Sequence, residues 1–273
     1  MTIEKLLVAG HSHTIAFGCE NIITADGVPA IVPTSDPRFV GLAGDPGRGE
    51  RYLDEIVKRS ADHIIVLVWR GDQHYVRFLF RHEKAFDFFL SSEPHLKASG
   101  PVVPEEAVAA YFQTCLFGLD TLLRKLSAVG AKKVIVCGTP PPKNDDAFIR
   151  EILSQEPYWR DLATRHNIDF DTVEITPGSL MYKLWAVSQR VFAEQAAQHG
   201  VLFAPVPRSV TTDDGFLRPE FWGSDLIHAW GDYGRIMRDY VYGVAVNAGW
   251  ADPQDSAAPS LPVETAGIAQ IFD

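Results

Sequence analysis

Two short segments near opposite ends of the chain carry the residue types that together activate a hydroxyl. Gly10-His11-Ser12-His13 directly follows an apolar run, and Asp225-Leu226-Ile227-His228 directly precedes the last helical pattern. A serine hydroxyl is a weak nucleophile at neutral pH unless a base takes its proton during attack. A carboxylate is then needed to fix the tautomer of that base and to stabilise the imidazolium that forms. The three-residue spacing of Asp225 and His228 lets the carboxylate accept a hydrogen bond from the imidazole. Ser12, His228 and Asp225 thus read as nucleophile, general base and orienting group of a serine hydrolase.

Elements of an α/β sheet would have to bring them together. Leu6-Leu7-Val8-Ala9, Ile64 to Trp69, Val134 to Cys137 and Val201 to Ala204 are nearly continuous apolar runs, as buried parallel strands are, and Phe39-Val40-Gly41-Leu42 is a weaker fifth. Helical spacing marks residues 50–59, 104–129, 179–199 and 233–247, with acids or proline at several starts and glycine just past several ends. The alternation predicts one domain over residues 1–250. Its fold class is α/β: a doubly wound, flavodoxin-like three-layer sandwich of about five parallel strands. Residues 75–101, rich in Phe and interrupted by charge, read as an insertion with a hairpin turning near His82-Glu83-Lys84, and residues 251–273 as an extended tail.

In such sheets ligands bind at the carboxyl ends of the strands. Ser12 follows the first run, Gly71-Asp72-Gln73-His74 the Ile64 run, and Thr139-Pro140-Pro141-Pro142 the Val134 run, so all three are expected on one rim with Asp225 and His228. The Gly44-Asp45-Pro46-Gly47-Arg48-Gly49 segment lacks the Lys-Ser/Thr ending of a phosphate loop and reads as a turn before the helix at residue 50.

This layout resembles the SGNH or GDSL-like hydrolases, a superfamily of esterases and lipases. The resemblance rests on a serine after the first strand, a glycine after the second, a glycine-led turn after the third and Asp-x-x-His before the C-terminal helix. It implies Ser12 as nucleophile, His228 as base and Asp225 as its partner; the second-strand glycine, Gly44 in preference to Gly41, and Gln73 would complete the oxyanion hole beside the Ser12 backbone N–H. The sequence departs from the family in two places. Gly10-His11-Ser12 stands where Gly-Asp-Ser is usual, and Gly71-Asp72-Gln73-His74 stands for Gly-x-Asn-Asp. Glutamine still offers an amide donor, though one methylene further out.

His11, His13, His74 and Arg70 would surround the nucleophile with polar groups, which suits a polar or anionic substrate such as an O-acylated sugar or an acyl carrier phosphate; Trp222 and Trp230 flank the Asp-x-x-His and can line its groove. Acyl transfer on the same triad is one alternative. A metal-dependent hydrolase built on His11 and His13 with Asp72, His74, Asp225 and His228 is a second, and a catalytically inactive module that binds carbohydrate or protein is a third. The triad reading requires no cofactor and no metal.

Composition narrows the classes further. The 273 residues carry 25 Lys and Arg against 35 Asp and Glu, a formal charge of −10, which gives no electrostatic footprint for nucleic acid. No apolar stretch approaches the roughly 18 residues of a membrane span, and the first apolar run is too short for a signal-peptide core. A cytoplasmic protein acting on a small-molecule or carbohydrate ester is the expectation, and assembly into an oligomer is compatible with it. Three cysteines without CxxC spacing suggest reduced, mostly buried thiols.

Overall fold

Strand β1 (Leu6–Gly10) is apolar throughout because both of its faces are covered. Its residues alternate between two cores: Leu7 and Ala9 pack on one side of the sheet, Leu6 and Val8 on the other. The structure, a computed structural model, describes residues 5–19, 28–44, 50–81 and 85–253. The same alternation runs through β3 (Phe39–Ala43), β4 (Ile64–Val68) and β5 (Val134–Cys137), and β6 (Leu202–Ala204) closes one edge. Helices α1 (Glu50–Arg59), α3 (Glu105–Cys115), α4 (Phe117–Ala128), α5 (Asp146–Gln155), α6 (Pro157–Arg165) and α7 (Gly178–Gln198) contribute to the first core. Helix α8 (Tyr233–Asn247) covers the opposite face.

The predicted α/β class holds, with six strands rather than about five. With Ala30–Pro33 as β2, sheet order is β2-β3-β1-β4-β5-β6, and every pairing is parallel except β2 with β3. Strand β2 (Ala30–Pro33) escapes a sequence reading because it is short, half exposed and ends in proline, as edge strands can.

Two helical expectations change. The pattern over residues 104–129 is two helices, α3 and α4, meeting at Leu116, whose backbone leaves helical geometry at φ −97° and ψ 11°. The apolar spacing continues across the break, so periodicity alone reads one helix. Helices α5 and α6 lie where no helix was expected.

Among the described residues the 75–101 segment shows no strand pairing with itself, and its expected turn at His82-Glu83-Lys84 lies outside the described residues. Its start belongs to α2 (Gln73–Phe78), Phe80 bridges Ile175, and Asp87 bridges Val102. Asp87 and Lys183 of α7, both almost fully buried, form an ion pair at 2.6 Å. Lys183 Nζ also donates to the carbonyls of Phe88 and Lys97, while Asp87 accepts from the N–H groups of Phe88 and Ser99. Every strong valence of the pair is used, so the segment is fastened to α7. Asp87→Ala would strand a buried ammonium, and a loss of about 3–5 kcal/mol in urea unfolding is expected. The Asp87→Ala, Lys183→Met double variant should lose less than the sum of the two single changes.

All three cysteines are free, Cys19 and Cys137 being buried. No helix among the described residues is long and apolar enough to cross a membrane.

Candidate active site

Parallel pairing of β1 with both β3 and β4 makes the chain leave β1 toward one side of the sheet and return on the other, opening a crevice above the strand ends. Gly10 ends β1 at φ 143°, and a Cβ there would stand 1.9 Å from the Val68 carbonyl oxygen, so only glycine lets the chain turn this close to β4. His11 N–H continues the ladder to the Val68 carbonyl at 2.9 Å, and Ser12 then opens a short 3-10 helix, Ser12–Phe17. Tyr52 of α1 braces the turn: its hydroxyl accepts from Gly10 N–H at 3.0 Å and donates to the Leu42 carbonyl at 3.2 Å. On the other side, the Arg238 guanidinium of α8 donates to the Ala16 carbonyl at 3.1 Å. Ser12 is thus mounted on a frame anchored in both helical layers.

The Asp225–His228 loop is closed by a bridge between Trp222 and Ala229. Asp225 Oδ1 accepts from the N–H groups of Ile227 at 2.8 Å and His228 at 2.6 Å, which leaves Oδ2 to meet His228 Nδ1 at 2.9 Å. Burial opposes ionisation of Asp225, but the His228 ring and these two N–H groups outweigh it and hold the carboxyl well below the usual carboxylate range. An ionised carboxylate on Nδ1 makes that nitrogen the donor and leaves Nε2 with its lone pair. His228 Nε2 is buried and has no hydrogen-bond partner. The Ser12 hydroxyl is therefore not bonded to it here. The neighbour of Ser12 does reach that ring: His13 lies 5.0 Å from His228 between centroids, tilted by 55°.

Two further imidazoles crowd this spot. His13 and His74 are almost fully buried, and three of their ring nitrogens, His13 Nε2 and both of His74, also have no partner. Burial is the main reason both are driven down to about 3; the facing His228 adds to the effect at His13, while Asp72 opposes and His13 adds to it at His74. Both are neutral at pH 7, and each keeps one N–H donor to offer.

The remaining predicted residues divide by geometry. Gly71 follows β4 at φ 114°, where a Cβ would strike the Thr139 side chain at 2.1 Å, so the rims of β4 and β5 touch as expected. Gly44 follows β3, and a side chain there would meet the Tyr52 ring at 2.8 Å; residues 45–49 beyond it lie outside the described residues. Gln73 was expected to aim its amide at an oxyanion, but Nε2 donates to Asp72 Oδ1 at 2.9 Å, which removes one of its two donors. His11 stands edge-on to Trp69 at 4.7 Å and accepts from Arg70 N–H at 3.3 Å. Arg70 itself is exposed and adopts φ 45°, uncommon for a residue with a side chain. Among the described residues no group of three or more His, Cys, Asp or Glu is arranged to hold a metal ion, so His11 and His13 do not assemble the metal site considered above.

Lys143 went unnoticed in the sequence. It is 1% exposed and its Nζ donates to the main-chain carbonyl of Asp225. The only hint was a lysine closing the Pro140-Pro141-Pro142 run at the rim of β5.

No family model matches the chain, and no curated protein matches it. Among solved structures, a GDSL-like lipase from Bacteroides thetaiotaomicron is similar over 90% of this chain and 89% of its own, at 11% identity and a TM-score of 0.45. An acylhydrolase structure from Bacteroides fragilis is similar over 90% and 88%, at 11% identity and a TM-score of 0.44. Likeness that slight carries no argument about activity, which has to be read from the site.

Proposed function

We propose that this protein is a serine acyl hydrolase working through an acyl-enzyme on Ser12. The observation that carries the reading is the Asp225–His228 pair, which is closed at Nδ1 and open at a buried, partnerless Nε2 beside the turn that bears Ser12. Attack by Ser12 Oγ on an ester carbonyl would pass its proton to Nε2. His228 would return that proton to the departing alcohol, and water would then release the acyl group by the same steps in reverse. The Ser12–His228 contact would close with substrate, as catalytic contacts loose in empty sites commonly do.

The oxyanion would be held by the Ser12 and Gly44 backbone N–H groups together with the neutral imidazoles of His74 and His13. A neutral imidazole donates without carrying a charge that burial would penalise. With Gln73 turned onto Asp72, His74 takes over the donor role at the third-strand turn. An O-acylated carbohydrate suits the site, because the Trp230 ring, 44% exposed, stands two residues beyond His228 as a platform for a sugar face.

Treatment with a fluorophosphonate tests this. A single adduct mapped to Ser12 in the folded protein, with turnover of p-nitrophenyl acetate, is the expected result. Absence of any adduct would leave a binding module instead. An adduct with acyl transfer to an added polyol in place of hydrolysis would make the protein an acyltransferase on the same residues.

A further inference from the structure

Lys143 takes no part in the chemistry above but joins the elements that build it. Its backbone N–H donates to the Tyr75 hydroxyl at 2.9 Å, one residue from His74 on α2, and the preceding carbonyl of Pro142 accepts from Leu217 N–H at 3.0 Å. Its Nζ donates to the Asp225 carbonyl and lies 5.4 Å from the centre of the Phe148 ring, which packs in turn on Trp222 at the base of the Asp225–His228 loop. The anions facing the ammonium are Asp225 and Glu156, the latter at the start of α6 and bonded to Trp159. His13, on the Ser12 turn, also feels the ammonium, and Asp225 holds the ring of His228. Asp225 and Glu156 form no ion pair with Lys143 among the described residues, so its one strong partner is a carbonyl of the catalytic loop.

Resting on the reading of Asp225 and His228 as orienting group and base, we propose that Lys143 is a positioning residue: its buried ammonium clamps the main chain at Asp225 so that the carboxylate meets His228 Nδ1, and loss of its proton releases the loop. A charge-assisted bond to a carbonyl is about twice as strong as the bond a neutral amine makes. A residue held at its other end by Tyr75 transmits that difference to the loop and not to solvent. Burial, only partly opposed by Asp225 and Glu156, lowers Lys143 to about 8, so release falls in weakly alkaline solution. The sign for stability is opposite. Between about pH 8 and 10.5 the unfolded chain holds a proton that the folded one has lost, so this group adds stability as pH rises through that window. Activity should fall there while the fold becomes no weaker, whereas alkaline denaturation would lower both.

Three measurements on the full chain test this. They are the downfield proton signal of His228 Nδ1–H, identified by its loss in His228→Ala; the rate of fluorophosphonate labelling; and urea unfolding. In the unaltered protein the proton signal should fade between pH 8 and 9.5, labelling should drop at least tenfold with the same midpoint, and the unfolding midpoint should hold or rise. Lys143→Met should label ten- to a hundredfold more slowly at pH 7, lack the alkaline limb, and unfold no more easily, since it removes a buried charge. Lys143→Met labelling within twofold of the unaltered protein with the limb intact would overturn the proposal, as would stability falling in step with labelling. If the unaltered protein never labels, the serine hydrolase reading fails, and the proton signal with Lys143→Met decides the clamp by itself. If that variant does not fold, the titration of the unaltered protein decides, and a signal unchanged from pH 7 to 9.5 sinks the clamp.

Discussion

His228→Ala and Ser12→Ala are each expected to lower ester turnover by at least about a thousandfold, and the double variant to lose little more than either alone. Nucleophile and base act as one unit, so removing the second after the first deletes nothing further. Losses that multiply independently would mean that the two side chains do not share a proton. Asp225→Asn adds a sharper version of the same test, because the loop geometry dictates how the amide must sit. Oδ1 receives two backbone N–H groups, so asparagine has to place its oxygen there and its NH2 against His228 Nδ1. That forces the ring proton onto Nε2, the nitrogen that must accept from Ser12. A loss on the order of ten-thousandfold follows from the inverted tautomer, with the fold intact. Steady-state kinetics on an activated ester, alongside unfolding curves for each variant, checks all of these changes.

Acid is expected to weaken the fold through two buried imidazoles. His13 and His74 hold folded values near 3 against an ordinary 6.5, so between those limits the unfolded chain binds protons that the folded chain refuses. Stability therefore rises with pH across that window and is lost as pH falls through it. At 1.36 kcal/mol per unit, each imidazole removes about 2 kcal/mol between pH 7 and 5, and the two together about 4. That is a large share of the ~5–15 kcal/mol typical of a folded domain. Urea unfolding at pH 7, 6 and 5 gives the slope. Replacing both by asparagine, which does not titrate, should flatten the slope whatever it does to the level. A slope unchanged in the double variant would show that the two rings take up protons in the folded protein as readily as in the unfolded chain, and that burial does not keep them neutral.

Much of the frame was legible in the sequence because it is written in short-range patterns. Five apolar runs marked five of the six strands, since a strand covered on both faces has no polar positions to spare. Helix α1 matched residues 50–59 and α8 matched residues 233–247, where charge or glycine marks an end. The Asp225–His228 bond was predictable for the same reason: three residues of spacing and an acceptor that can also cap its own loop fix it locally.

What depended on contacts between distant segments could not be read that way. Nothing near His13 or His74 in sequence says that burial will strip both of charge. The break at Leu116, the fastening of Asp87 to Lys183 and the reach of Lys143 to Asp225 are likewise decided by what packs against each residue. Residue type and spacing determined which groups could do the chemistry. Only the tertiary structure decided their charge, their free valences and which of them face one another, because desolvation and long-range hydrogen bonds exist only once the layers have closed.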